Sequence, residues 1–238
     1  MSEAERASAG DGLTLLREGE VEVRGRLPWS SNRTFLAEVC HGERSTLAVY
    51  KPVDGERPLW DFPPGLYTRE LGAYLLSEAL GWALVPETVV REGPLGYGSL
   101  QRFVDADFDE HYFTLLERPE HHAALQAICA FDLLANNADR KGGHCLLGLD
   151  GHVWAVDHGL CFHADPKLRT VIWDFAGHRI PDDLVADVSR LALHPPDALA
   201  GVLDGDEVNA VVARAAAIVR RPVFPEPRHS RAYPWPLV

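Results

Sequence analysis

Two stretches in the second half of the chain carry residues suited to handling phosphate. One is Asn136-Asn137-Ala138-Asp139-Arg140-Lys141-Gly142-Gly143-His144, a polar loop after a strongly apolar run, and the other is Val156-Asp157-His158-Gly159-Leu160. Phosphoryl transfer needs a carboxylate to orient the attacking group and ligands that keep a divalent metal between the phosphates, because positioning and charge neutralisation supply most of the catalysis. In that chemistry Asp139 orients the nucleophile or accepts its proton, and His144 and Asp157 hold metal. Upstream, Leu47-Ala48-Val49-Tyr50-Lys51-Pro52 ends an apolar stretch with a lysine that strand alternation sets on the opposite face from Tyr50. Glu70, on the helix that follows, could pin the Lys51 ammonium against the α- and β-phosphates. Singly, each residue has a commoner explanation, since an Asp beside Asn and Gly usually caps a turn and a lysine at a strand end is usually solvated. Their order within one chain favours chemistry.

Such residues need a frame to bring them together. From Leu13 to Pro52 the pattern is strand-like, with Thr34–Cys40 and Thr46–Tyr50 as short apolar runs around a turn at Cys40-His41-Gly42-Glu43, and it predicts an antiparallel meander. Asp54–Gly65 is Pro-rich and must be a loop, and Tyr67–Leu80 has the spacing of an amphipathic helix that stops near Gly81. Strands at Thr88–Val90 and Tyr97–Val104 close a first lobe, and Asp105–Glu110 connects it to a second. There helices are expected at His121–Leu134, Asp182–Leu193 and Asp206–Arg220, with a hairpin of Cys145–Leu149 and His152–Val156. The division is a disordered 1–12, an N-lobe over 13–104, a C-lobe over 105–221, and a Pro-rich tail over 222–238 that Trp235 and Leu237 could dock.

Lys51-Pro52, Arg69-Glu70-x-x-Ala73-Tyr74, Gln101-x-Phe103-Val104, Asp139-Arg140 and Asp157-x-Gly159, in that order, resemble the catalytic domains of phosphatidylinositol 3- and 4-kinases, above all the type II 4-kinases. The resemblance covers roughly Leu13–Arg220. It implies an α+β, two-lobed protein-kinase-like fold, with an antiparallel sheet and one helix in the N-lobe and a mainly helical C-lobe. ATP would lie between the lobes, with Lys51 paired to Glu70 and with Gln101, Arg102, Phe103 and Val104 along the adenine. Asp139 would take the catalytic-loop position and Asp157 the metal-binding one.

Two departures stand out. The family presents an asparagine five residues after the catalytic-loop aspartate, where this chain has His144. An imidazole ligates only when neutral and suits Mn²⁺ better than Mg²⁺, so the expectation is a divalent site that prefers Mn²⁺ or one that has lost turnover. In the phosphate-covering turn, Pro28-Trp29-Ser30-Ser31-Asn32-Arg33-Thr34 replaces a glycine-rich loop, leaving Ser30, Ser31, Asn32, Arg33 and Thr34 to cup phosphates through hydroxyls, backbone N–H groups and one guanidinium.

Composition narrows the partners. A formal net charge of −12 disfavours nucleic acid, which calls for a basic surface, and argues against stable adsorption on anionic lipid. No signal peptide and no bilayer-length apolar run is present, so the expected location is the cytoplasm, with the four cysteines reduced. Lysine is scarce, three residues against 20 arginines, and two of the three, Lys51 and Lys141, lie in the motifs above. His144, Cys145, His158, Cys161 and His163 are a rival zinc grouping, although no Cys-x-x-Cys pair accompanies them.

The expected partners are a nucleotide and an unidentified phosphate acceptor, whether small molecule, protein or the chain itself, with the Pro-rich tail as a surface for a protein partner. Lys167 and Arg169 alone are thin support for a lipid headgroup. The other function to weigh is a catalytically weak pseudokinase that binds nucleotide or metal and regulates a partner.

Overall fold

Alternating apolar and polar residues between Glu20 and Pro52 fold as three antiparallel strands, β1 (Glu20–Arg26), β2 (Phe35–His41) and β3 (Arg44–Pro52). The computed structural model of the protein describes residues 12–28, 32–227 and 230–238. Two further strands, β4 (Thr88–Gly93) and β5 (Gly96–Arg102), complete a five-stranded sheet in the order β1-β2-β3-β5-β4, with Tyr50 opposite Leu100 and Lys51 opposite Ser99. One face gathers Ala37, Val39, Ala48, Tyr50, Val89 and Leu100 into a small core. Because strand neighbours point to opposite faces, Lys51 is turned away from that core.

The strand pattern expected from Leu13 begins only at Glu20. Residues 12–18 form a helix, α1, and Leu16 is fully buried in the small core. Leu13 and Leu16, three apart, share one helical face and together cover apolar sheet surface, which a strand there could not do. Gly19 then lets the chain pass close beneath the sheet, since a Cβ there would lie 2.6 Å from the Val39 side chain.

The sheet's other side meets α2 (Leu66–Leu80), which ends at Gly81 with φ of 75°, a left-handed cap that costs glycine little. Ala73, Tyr74, Leu76 and Leu80 of this helix join the main core together with Phe131, Phe162, Leu184 and Leu203. Thus α2 precedes the boundary expected at residue 104 yet packs into the body beyond it. Each fully buried large side chain of that core contributes about 1.5–3 kcal/mol.

The second lobe contains α4 (His122–Ala135), α5 (Asp182–Leu193) and α7 (Gly205–Arg220), with a three-stranded sheet of β6 (Ala106–Asp107), β7 (Cys145–Gly148) and β8 (Val153–Ala155). Two short helices, α3 (Tyr112–Leu116) and α6 (Asp197–Ala200), and strand β6 were not expected, being too short to show a period. The run after Pro222 is packed rather than loose. Phe224 and Ala232 are buried, and carbonyls of Pro222, Phe224 and Ala232 accept N–H groups of Ile180, Gly177 and Thr170. Proline removes donors but leaves every carbonyl available, so a Pro-rich segment can still serve as an acceptor strip. No helix among the described residues is long and apolar enough to cross a membrane.

Candidate active site

At the end of β3, the Lys51 ammonium meets two carboxylates, pairing with Glu70 of α2 and lying 2.7 Å from Asp157 Oδ1. Burial pushes the Lys51 pKa down, but Asp157 and Glu70 outweigh it and hold the ammonium above its ordinary value. Lys51 in turn holds the Asp157 carboxyl far below the usual range. The other oxygen of Glu70 accepts the backbone N–H of His158 at 3.0 Å, so one glutamate ties strand, helix and the Asp157-His158-Gly159 segment together. Asp157 has φ of 60°, an uncommon left-handed conformation for a non-glycine residue, and its side chain is half exposed toward the cleft.

Asp157 Oδ2 faces His144 Nε2 at 3.4 Å. Burial lowers the His144 pKa to about 4, so its imidazole is neutral near pH 7 and can donate a lone pair to a metal. Asp139 sits in the loop after α4, where its N–H donates to Asn137 Oδ1 at 2.9 Å and its Oδ2 is 3.2 Å from Lys141 Nζ. Burial raises the pKa of Asp139, with the Asp157 charge adding to the shift and Lys141 opposing it.

Beneath this surface lies a hub that the sequence reading missed. Arg140 is fully buried; it donates to both oxygens of Asp132 in α4, to the carbonyls of His144 and Val156, and to His158 Nε2 at 2.7 Å. A buried ion pair is tolerated when its remaining donors and acceptors are satisfied, and Asn137 completes the set by donating to Asp132 at 2.9 Å. Arg140 thereby sets the spacing between His144 and the residue preceding Asp157. Since a guanidinium only donates, His158 Nε2 accepts, and the proton on Nδ1 has no partner among the described residues. The detectable signal was Asp132, an ionisable residue inside the apolar run Ala127–Leu134.

Asn32, Arg33, Thr34, Lys51, Glu70, Asp139 and Asp157 line one cavity of about 250 Å³. Arg57, on the connection before α2, lines it too and was not foreseen. Ser30 and Ser31 lie outside the described residues. The stretch expected along adenine does not reach this cavity. Gln101 is buried and donates to Thr88, and Arg102 pairs with Glu87 and lies 4.8 Å over the Trp154 ring. The Phe103 N–H donates to the Leu47 carbonyl, and Val104 is buried. Phe103 instead borders a second cavity, of about 300 Å³, with Leu47, Glu38 and Asp105.

No group of three or more His, Cys, Asp or Glu side chains is arranged to hold a metal among the described residues. The rival zinc grouping is thus not assembled; Cys145 and Cys161 are buried thiols. Asp157 and neutral His144 do fit a divalent cation completed by phosphate oxygens and water, the arrangement a nucleotide-bound metal uses in place of a protein-only cage.

No model of a known protein family matches the chain. Its structure is similar to the crystal structure of a Helicobacter pylori proinflammatory kinase, CtkA, with a TM-score of 0.53 at 9% sequence identity, over 87% of this chain and 93% of that one. This likeness shows the expected α+β, two-lobed kinase-like fold. In sequence the chain is 45% identical to "Protein Rv2133c" of Mycobacterium tuberculosis (strain ATCC 25618 / H37Rv), with 95% of each chain covered. At that identity over nearly the whole of both chains, this protein belongs to the family of Protein Rv2133c.

Proposed function

We propose that the chain is an ATP-dependent phosphotransferase of the phosphatidylinositol 3- and 4-kinase-like type. The observation that carries this reading is the convergence of Lys51, Asp139 and Asp157, separated by up to 106 residues in sequence, on one cavity between the lobes. Lys51, held by Glu70, is positioned to neutralise donor phosphates. Asp139 opens onto the same cavity, where it orients an acceptor hydroxyl and can hold its proton; a pKa raised by burial suits a carboxylate to that role. Asp157 offers an oxygen and His144 a nitrogen to a divalent cation, and that mixed set favours Mn²⁺ over Mg²⁺. When bound, such a cation neutralises charge between phosphates. The acceptor is a small molecule, a protein or the chain itself.

Single-turnover incubation with γ-labelled ATP, in Mn²⁺ and separately in Mg²⁺, tests the reading. ADP release or label transfer by the wild type should disappear in both Asp139→Asn and Asp157→Asn. ATP binding by the wild type without any turnover would replace the enzyme with a nucleotide-binding regulator.

A further inference from the structure

A turn without a glycine run leaves open what faces the outer phosphates. The structure places a second segment beside that turn. After β3 the chain makes a tight turn at Val53–Gly55, and Glu56 and Arg57 then run along the cavity. Two hydrogen bonds lace this segment to the turn after β1: the Arg33 N–H donates to the Gly55 carbonyl and the Arg57 N–H to Asn32 Oδ1, each at 3.0 Å. Gly55 permits the approach, since a Cβ there would lie 2.8 Å from the Arg33 carbonyl oxygen.

The charges beside Arg57 are already committed. Glu56 accepts the N–H groups of Gly65 and Tyr67 at 3.0 and 2.8 Å, so its carboxylate caps the start of α2. Lys51 is paired with Glu70 and Asp157, and Lys141 with Asp139. Arg33 and Arg57 are exposed, both line the cavity, and neither has an ion-pair partner among the described residues. In a chain of net charge −12, two unpaired arginines on laced segments lining one cleft are positioned for an anion from outside. The planar fork of a guanidinium matches phosphate oxygens bidentately, as an ammonium does not.

We propose that Arg33 and Arg57 form a clamp for the terminal phosphate of a bound triphosphate, in place of a glycine-rich turn. The clamp rests on the proposed ATP reading of this cavity and adds Arg57 as a residue that touches the substrate. Its ligand class is a polyphosphate with a free terminal group. AMP, whose single phosphate does not extend to the outer end, falls outside its reach.

Calorimetric titration of ATP, ADP, AMP and inorganic tripolyphosphate, each with Mn²⁺, into wild type, Arg33→Ala, Arg57→Ala and Arg57→Lys tests it. ATP and tripolyphosphate should bind at least about tenfold more weakly to both alanine variants, with AMP changed by less than about twofold and Arg57→Lys recovering only part of the loss. Thermal unfolding should match wild type, because both side chains are exposed. Unchanged ATP affinity in the variants, or equal losses for AMP and ATP, would overturn the clamp while leaving the ATP reading in place. A wild type that binds none of the four ligands would overturn both.

Discussion

Arg69 of α2 and Glu207 of α7 form an ion pair in which both side chains are more than nine-tenths buried. Arg69 also donates to the Cys161 carbonyl and lies 5.3 Å over the Phe62 ring. The residue next to it, Glu70, faces Lys51, so the helix that presents the glutamate is anchored to the helical body while the lysine rides on the sheet. The Lys51–Glu70 contact is therefore a joint between the sheet and a helix that packs on it while being anchored in the helical body.

Removing one partner of that anchor should be costly. Glu207→Ala strands a buried guanidinium and also breaks the capping box with Asp204, and it should lower stability in urea by about 3–5 kcal/mol. Replacing both residues together, Arg69→Met with Glu207→Leu, should recover much of that loss. A double variant as unstable as the single one would mean the pair is not the source.

Glu70→Gln separates function from folding. The amide oxygen can still accept the His158 N–H, but the negative charge that positions Lys51 is gone. The expected outcome is ATP affinity or turnover lower by about tenfold or more, with a thermal midpoint within a few degrees of wild type. A large drop in the midpoint with unchanged ATP affinity would contradict this.

The metal preference should follow residue 144. His144→Asn replaces an imidazole nitrogen with an amide oxygen, and the ratio of Mn²⁺ to Mg²⁺ affinity in the presence of ATP should fall by about tenfold. Mn²⁺ binding followed by electron paramagnetic resonance, with Mg²⁺ as competitor, reads this without turnover. An unchanged ratio removes His144 from the ligand set.

Acid should weaken the metal-free protein over a defined window. The folded state holds His144 to about 4 against an ordinary 6.5, so between those values the unfolded chain takes up a proton that the native state refuses. This contribution is complete above about pH 6.5 and is lost as pH falls toward about 4. His158, held low by burial and by Arg140, acts in the same direction. Urea unfolding at about pH 7 and about pH 5 with a chelator present should show a smaller difference for His144→Asn than for wild type. Equal differences would show that His144 does not contribute.

Much of the site could be found from local pattern, and the misses share a cause. Lys51, Asp139 and Asp157 were recognisable because each stands at or just after the end of an apolar segment, and Glu70 because it lies within a segment of helical period. Arg57 was hidden in a Pro-rich connection with no period, and hydrogen bonds from the Arg57 N–H to Asn32 and from the Arg33 N–H to the Gly55 carbonyl hold that connection along the cavity. The placement of Gln101 and Arg102 depended on partners far away in the chain, Thr88, Glu87 and Trp154, that no local pattern names.

The amino-acid sequence alone determined the longer elements and the order of the chemical groups along them, because hydrophobic period, turn residues and the rarity of lysine are local properties. Tertiary structure alone decided which charges meet. Arg69 with Glu207, and the Pro-rich tail with the segment from Thr170 to Ile180, are pairings between stretches far apart in the chain. Their strength comes from shared burial, a property that no single stretch of chain possesses before the lobes have packed.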